Sequence, residues 1–384
     1  MPDLPQYTTS YNDFRSDTFT IPTPDMFAAG ANASVGDVIF QEDACTCLLE
    51  QRVSQELLGG KLYGGSEAQG LFCMSTTMSN QIAIRAHLNF APPFSILCDK
   101  RAHVYVDECA GIAVLSQALV VPVAASNDRF LTLEDIQEAY IPDDGDIHLA
   151  PTRLICLENT LHGMCFPYEE LKRISDWCHE EGIKLHLDGA RFWNAACSSG
   201  EDPVGYMRKV GPLFDSLSLC FSKSLGAPIG SMLVGGPEFR ARARHLLKQQ
   251  GGGIRQAGFI TKIAAYCLDR NFPQAVAEVS SKTLEFWEDL YTTLKDKYAM
   301  ELRLAHPVET NFIFIDLASS GINMSKFLEI GERNNVRLFD GRLAFHYQNI
   351  KPEGLALLKK TFTDVAEYYQ KNDYKPEGRS TRIY

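Results

Sequence analysis

The sequence predicts an α/β protein with a large domain built on a mostly parallel sheet and a smaller α+β domain after it. Between about residues 70 and 235, short apolar segments alternate with segments whose apolar residues recur every three to four positions. This alternation is typical of a parallel sheet with helices on both faces. After the glycines at 251–253, long helical patterns and only short strand-like segments follow.

Seven segments of the first part are predicted to be strands, because each is a short apolar run bounded by polar or turn residues. They are Leu71–Met74, Ser95–Asp99, Leu119–Ala124, Arg153–Glu158, Lys184–Asp188, Ser216–Phe221 and Ser231–Val234. The helices predicted between them include Ser79–Asn89, Leu133–Tyr140 and Tyr168–Glu181. Ligands of such sheets bind beyond the carboxyl ends of the strands, so residues there are the first candidates for a site.

The C-terminal part is predicted to form a small α+β domain. Its elements are expected at Gln256–Arg270 and Gln274–Tyr298 (helices), Asn311–Leu317 (strand), Met324–Asn334 (helix), around Arg337 and at Arg342–His346 (short strands), and from Glu353 to Asn372 (helix). We place the boundary near residue 275. This gives a large domain over 1–275, which includes an extended N-terminal segment, and a small domain over 276–384.

Composition narrows the classes of partner. Of the 384 residues 45% are apolar, and the net charge of −11 comes without any basic block, which argues against nucleic acid or an anionic membrane. No apolar run is long enough to span a bilayer, and no signal peptide is seen at the start. The 11 cysteines lack CxxC spacing, which favours reduced thiols in a cytoplasmic protein. The nine histidines form no HxxxH or HExxH pattern, so no metal site is predicted.

Lys223 and Asp188 give the clearest chemical signal. Lys223 follows a predicted strand and has seven uncharged residues on either side. Asp188 ends another strand, and the Gly189-Ala190 pair after it permits close approach of a flat ring. A lysine for an aldehyde and an acid for a ring nitrogen are the groups that pyridoxal 5'-phosphate (PLP) requires. The alternatives are a surface lysine and a helix N-cap at Asp188.

Further candidates surround this pair. The turn of Ser75, Thr76 and Thr77 lies between a strand and a helix, where hydroxyls and backbone N–H groups bind anions such as phosphate. His103 follows a strand end, where it would stack on a ring or relay protons. Arg191 comes three residues after Asp188, within reach of a ring oxygen.

Two arginines complete the set. Arg255 follows the glycines at 251–253 and is a candidate for binding phosphate. Arg342 lies between apolar residues, an arrangement suited to a bidentate grip on an amino-acid carboxylate. A surface arginine and a structural ion pair are the respective alternatives.

Taken together, these segments resemble the threonine aldolase family, PLP enzymes of fold type I with the aspartate-aminotransferase fold. The matching segments cover nearly the whole chain and are Asn12–Thr18, Gln41–Asp43, Ala102–Tyr105, Leu157–Gly163, His186–Arg191, Ser222-Lys223, Gly251–Gln256 and Arg342. Leu161-His162 and Arg342–His346 are similar to the fungal branch, which also includes alanine racemases.

The resemblance implies roles for the cofactor-binding residues. Lys223 would bind the aldehyde covalently, Asp188 would pair with the pyridine nitrogen, and Arg191 with the ring oxygen. His103 would stack on the ring. The phosphate would be bound by Ser75, Thr76 and Thr77, with help from Arg255.

The resemblance also implies how substrate is bound. Ser16 and Arg342 would hold the substrate carboxylate, and the base would be His103, His162 or a bound water. Members are usually homodimers or homotetramers that share active sites between subunits.

Some residues depart from the family pattern. Thr76 replaces the usual glycine of the phosphate turn, Phe40 replaces a tyrosine, and Leu161 stands where many bacterial members have histidine. The function expected first is a low-specificity L-threonine/L-allo-threonine aldolase, which cleaves a β-hydroxy amino acid to glycine and an aldehyde. The alternative is an alanine racemase supplying D-alanine to a fungal peptide natural-product pathway, which the departures at Thr76 and Phe40 favour. A binding protein without catalysis would not need the complete set of Lys223, Asp188 and the arginines.

Overall fold

The computed structural model describes residues 10–89 and 91–375, and its main feature is a seven-stranded sheet. The strands are β1 (Gln69–Cys73), β2 (Ser95–Asp99), β3 (Leu119–Val123), β4 (Thr152–Glu158), β5 (Lys184–Gly189), β6 (Ser216–Cys220) and β7 (Ser231–Gly235). Their order is β1-β7-β6-β5-β4-β2-β3. Strands β2 to β6 run parallel, and β7 is antiparallel to both β6 and β1. The predicted mostly parallel seven-stranded sheet is confirmed, with strand ends within two residues of expectation.

Ten α-helices of the described chain accompany this sheet. They are α1 (Pro24–Ala31), α2 (Ala44–Gln51), α3 (Thr76–His87), α4 (His103–Val106), α5 (Leu133–Ala139), α6 (Tyr168–Glu180), α7 (Phe192–Cys197), α8 (Pro203–Val210), α9 (Pro237–Gln249) and α10 (Gly258–Asn271). Helix α3 starts three residues before its predicted start, because Ser75 caps it by accepting a hydrogen bond from Met78 N. All five residues of β2, β6 and β7 are buried, which explains their continuous apolar runs.

The C-terminal part contains a second, three-stranded antiparallel sheet in the order β10-β9-β8. Its elements are α11 (Gln274–Tyr298), β8 (Leu304–His306), β9 (Phe312–Ile315), α12 (Met324–Arg333), β10 (Arg342–Ala344) and α13 (Pro352–Tyr369). The strand predicted around Arg337 is wrong, because that residue forms only an isolated bridge with Asp13. The core includes the fully buried rings of Phe14, Phe327 and Phe362.

The described chain divides into two compact units. The large unit consists of residues 22–89, 91–161 and 165–270, and the small unit of residues 10–21, 162–164 and 271–375. Residues 10–21, which the sequence-based boundary places with the large domain, group with the small unit for a physical reason. The carbonyl of Phe14 accepts a hydrogen bond from Ala344 N in β10, and the Phe14 ring packs edge-on against Phe345.

No helix of the described residues has the length and apolarity needed to cross a membrane.

Candidate active site

Three polar side chains share one edge of the large unit's sheet. Glu158 on β4 is paired with Asp188 on β5, which is in turn paired with Ser218 on β6. Because paired residues of parallel strands point to the same face, these side chains project together. Among the described residues, the buried Ser218 hydroxyl has no hydrogen-bond partner.

Asp188 is held in place on both carboxylate oxygens. It is 2% exposed, its Oδ2 accepts from Asn80 Nδ2 at 2.8 Å, and its Oδ1 accepts from Ala190 N at 3.0 Å. Helix α7 starts after Arg191, and no side chain caps it. The alternative of Asp188 as an N-cap is therefore wrong, and the carboxylate is available to pair with a ring cation.

His103 is the first residue of α4, four residues beyond the end of β2. Its backbone N–H donates to Glu158 Oε2 at 2.8 Å, and its ring Nδ1 lies 2.8 Å from Glu108 Oε1. Burial disfavours the charged imidazole, but the bond to Glu108 and the charge of Asp188 outweigh it, so the pKa of His103 lies above its ordinary value.

The carboxylates at this edge attract positive charge. Burial, followed by repulsion from Asp188, raises the pKa of Glu158 to about 7, and the positive charge of Lys223 opposes the rise. Lys223 also acts electrostatically on His103, as Asp188 does, so the three side chains lie in one electrostatic neighbourhood.

Lys223 is half-buried in the loop that joins β6 to β7. The loop is closed by hydrogen bonds from Phe221 N to Gly230 O and from Gly226 N to the carbonyl of Lys223 itself. Gly230 has a φ of 126°, and a Cβ there would lie 2.8 Å from the ring of Phe72. Glycine is therefore required at this position to shape the lysine loop.

The predicted phosphate turn forms the start of α3. Ser75 is its N-cap, and the first backbone N–H groups of a helix have no partner within the helix. The Oγ1 atom of Thr76 is buried and has no hydrogen-bond partner among the described residues. Thr77 is exposed in the first turn. An acceptor-rich anion is the ligand that suits this set of donors.

The two candidate arginines of the large unit, Arg191 and Arg255, lie in different settings. Arg191 is half-buried directly after β5. The side chain of Arg255 is 58% exposed and forms an ion pair with Asp37 at 3.1 Å. An exposed pair of this kind is weak and easily exchanged for another anion.

The predicted carboxylate-binding residues meet within the small unit. Arg342 opens β10, and its Nη2 donates to the carbonyl of Arg15 at 2.8 Å. The guanidinium is therefore next to the peptide bond that leads into Ser16. The Ser16 hydroxyl accepts hydrogen bonds from Thr18 N and Oγ1 at 3.3 and 3.1 Å.

His162 also belongs to the small unit. Its backbone is left-handed, with a φ of 51°, and its Nδ1 lies 3.1 Å from His306 Nε2 on β8. Its ring stacks on Phe314 of β9. One nitrogen of the His162 imidazole is thus engaged, and its partner decides which tautomer it adopts.

The residues of the large unit fit PLP. The cofactor has a cationic ring nitrogen, an aldehyde and a phosphate. The carboxylate of Asp188 suits the first, Lys223 the second, and the unpartnered Thr76 hydroxyl at the N-terminus of α3 the third.

Asn80, Glu108 and Glu158 were missed as site residues in the sequence. A carboxylate ending β4 next to the strand that Asp188 ends was a usable signal for Glu158. Asn80 gave none, since it meets Glu108 and Asp188 across 28 and 108 residues. Glu108 lies only five residues after His103, but nothing in the sequence indicates that it is buried against the imidazole. The ligand atoms of His103, Glu108 and Asp188 lie within 4.8 Å of one another, a spacing that also suits a cation. Hydrogen bonds through Asn80 and between His103 and Glu108 account for this clustering.

A lysine after β6 and an aspartate at the end of β5, on a mostly parallel seven-stranded sheet, define a PLP enzyme of fold type I. The chain belongs to the beta-eliminating lyase family, whose model matches residues 13–320. The predicted PLP-dependent lyase is thereby confirmed.

Relatives extend over nearly the whole chain. The low specificity L-threonine aldolase of Saccharomyces cerevisiae is 48% identical over 99% of this chain and 92% of its own length. The alanine racemase TOXG of Cochliobolus carbonum is 35% identical over 88% of this chain and 83% of its own length. The solved threonine aldolase of Leishmania major has the same fold, with a TM-score of 0.72 at 22% identity, over 92% of this chain and 99% of that one.

Proposed function

We propose that this protein cleaves L-threonine and L-allo-threonine to glycine and acetaldehyde. The observation that carries the proposal is the buried, doubly hydrogen-bonded Asp188 in the electrostatic neighbourhood of Lys223 and His103. The 48% identity to a low specificity L-threonine aldolase supports the choice of substrate.

The large unit supplies the cofactor-binding residues. When bound, PLP accepts the electron pair that a broken bond leaves at the substrate Cα. Lys223 would hold the aldehyde end, Asp188 would keep the ring nitrogen protonated, and Arg191 would pair with the ring oxygen. The imidazole of His103 would stack on the ring.

The phosphate is assigned to a separate group. Ser75, Thr76 and Thr77 hold it at the N-terminus of α3, where backbone N–H groups and the helix dipole favour an anion. Arg255 contributes a further positive charge and exchanges its exposed pairing with Asp37 for the phosphate.

The small unit supplies the substrate-binding residues. Arg342 holds the substrate carboxylate by two parallel hydrogen bonds, and Ser16 donates a third. This fixes rotation about Cα. The orientation set by this grip would decide whether Cα–Cβ or Cα–H is the bond that breaks.

A base would take the proton from the β-hydroxyl as the Cα–Cβ bond breaks and the aldehyde leaves, and Cα would then take up a proton to give glycine. His103, His162 and a bound water are the candidates. The raised pKa of His103 favours its charged form, which has no lone pair to accept a proton. We therefore favour His162, or a water that it orients, as the base.

We further propose that the enzyme is cytoplasmic and forms a homodimer or homotetramer with shared active sites, as members of the family do.

The function is tested by incubating the PLP-loaded protein with L-threonine or L-allo-threonine and measuring acetaldehyde through a coupled NADH-dependent reductase. Equal amounts of acetaldehyde and glycine are expected. The matched control is Lys223→Ala, which should lose both turnover and the visible absorbance of lysine-bound PLP. Turnover by that variant at the unsubstituted rate would contradict the assignment of Lys223.

Alanine racemization is the second candidate, and the observation that favours it is the 35% identity to a fungal alanine racemase. The same residues would then labilise Cα–H, with Lys223 acting on one face and an acid such as His103 on the other. D-alanine formed from L-alanine, with no acetaldehyde from L-threonine, would establish it.

A further inference from the structure

Glu108 is a buried carboxylate that the proposed function does not use. Its side chain is fully buried and accepts from Gln81 Nε2 at 2.6 Å, while its Oε1 lies 2.9 Å from Asn80 Nδ2 and 2.8 Å from His103 Nδ1. The amide groups of Gln81 and Asn80 are the donors of two of these hydrogen bonds. A carboxylate of this kind accepts only, so His103 Nδ1 must carry the proton of that bond.

The backbone after Glu108 is held in an uncommon conformation. Cys109 and Ala110 both have left-handed backbones, with φ of 53° and 55°. Two consecutive non-glycine residues in this region are unfavourable, and such strain persists where surrounding structure imposes it. Here the turn directs the Glu108 side chain inward.

Asn80 links this carboxylate to Asp188. Its single NH2 group lies 2.9 Å from Glu108 Oε1 and 2.8 Å from Asp188 Oδ2, so each of its two protons has one carboxylate to bind. Because both partners accept only, the orientation of the amide follows from chemistry. Its oxygen must therefore face His186 Nε2, which lies 3.2 Å away and has to be the donor.

The same reasoning assigns the donor and the acceptor of each hydrogen bond that continues from Asn80 through His186. With Nε2 of His186 protonated, its Nδ1 accepts from the Ser216 hydroxyl at 2.7 Å. That hydroxyl in turn accepts from His87 Nε2, also at 2.7 Å. Burial lowers the pKa of His87 to about 3 and of His186 to about 4, so both imidazoles are neutral, as this order requires. Every donor in this series of hydrogen bonds thus points toward the carboxylates of Glu108 and Asp188.

We propose that Asn80 and Glu108 are positioning residues that tie the ring-nitrogen carboxylate of Asp188 to the ring-covering imidazole of His103. The pair sets the distance and orientation between these two groups before the cofactor binds. Glu108 also stabilises the charged form of the His103 imidazole. The charges of Asp188 and Glu158 act in the same direction, and the charge of Lys223 opposes them. This inference deepens the proposed function and rests on it for the roles of Asp188 and His103.

The test compares Glu108→Gln with Glu50→Gln, which alters another buried carboxylate of the large unit that is paired with Arg240. Glutamine at position 108 cannot accept from all three donors. We expect Glu108→Gln to bind PLP about 10- to 100-fold more weakly in an absorbance titration. The pKa of His103, measured by NMR of labelled histidine, should fall because the charged hydrogen-bond partner at Glu108 is lost. Glu50→Gln should change stability and leave both quantities as they are.

Asn80→Ala is the second variant and decides the matter if Glu108→Gln does not fold. It removes the link to Asp188 and keeps the bond between Glu108 and His103. PLP affinity should therefore fall about tenfold while the His103 pKa stays raised. PLP affinity equal to that of the unsubstituted protein in a folded variant would overturn the proposal.

Failure of the proposed function is distinguishable from failure of this inference. Unsubstituted protein that binds PLP but releases no acetaldehyde contradicts the proposed function, whereas PLP affinity and the His103 pKa still test the positioning. If Glu50→Gln lost as much PLP affinity as Glu108→Gln, general destabilisation would explain both losses. That result would overturn the inference.

Discussion

Glu158 and Asp188 are directly paired at the carboxyl ends of neighbouring parallel strands, so two carboxylates face one another at the same edge of the sheet. Glu158 accepts a hydrogen bond from His103 N, and Asp188 accepts hydrogen bonds from Asn80 and Ala190. Repulsion between them is relieved by protonation of Glu158 or by a nearby cation. The protonated ring nitrogen of PLP is such a cation.

Replacement of Glu158 should therefore change how stability depends on pH. The folded-state pKa of Glu158 is raised from 4.5 to about 7, so in that window the folded protein holds a proton that the unfolded chain has released. Its contribution is present below the unfolded pKa and is lost as pH rises through the window. In cofactor-free protein, the free energy of unfolding of wild type minus that of Glu158→Gln should fall between about pH 5 and pH 8. A difference that rises over this range would contradict the account. Binding of PLP should make the fall of this difference with pH smaller.

The buried imidazoles of His87 and His186 predict the opposite pH dependence, in which folding stability is lost as the pH falls. The pKa values of His87 and His186 are lowered from 6.5 to about 3 and about 4, so the unfolded chain binds protons that the folded protein excludes. Stability is then lost as pH falls below 6.5, by about 2 kcal/mol per group at about pH 5. Urea unfolding of His87→Gln should lose about 2 kcal/mol less than wild type over this range. The exposed His245→Gln is the control, and equal losses in wild type and His87→Gln would refute the prediction.

Sequence alone was sufficient for the sheet, and it identified Lys223 and Asp188 as candidate site residues, because each of these is marked by its immediate neighbours. Short apolar runs indicate buried strands, and a charged residue at the end of such a run is conspicuous. Asn80 and Glu108 are different. Asn80 meets Glu108 across 28 residues and Asp188 across 108, and nothing local to an asparagine in a helix indicates this. Helices α1 and α2 were missed since they are short, although Thr23 and Asp43 cap them.

Arg342→Lys tests the grip on the substrate carboxylate. Lysine keeps the charge but cannot form two parallel hydrogen bonds, so KM for L-threonine should rise about 10- to 100-fold. The absorbance of bound PLP should not change, because the cofactor-binding residues belong to the large unit. Arg337→Lys, in the same unit, is the matched control. An unchanged KM in Arg342→Lys would remove Arg342 from substrate binding.

The identity of the base is tested by comparing His162→Asn with His103→Phe. The phenyl ring keeps the stacking surface of His103 and removes its proton. If His162 or a water that it orients is the base, His162→Asn should lower kcat about 10²- to 10⁴-fold. His103→Phe should cost less, with weakened PLP binding as its main effect. The reverse ranking of kcat would assign the base to His103.

The central claim is that the bound substrate breaks at Cα–Cβ. The most direct measurement is a chiral separation of amino acids after the PLP-loaded protein meets L-allo-threonine and, separately, L-alanine. The account predicts glycine from the first and unchanged L-alanine from the second. D-alanine from the second, with little glycine from the first, would contradict it and make the protein a racemase.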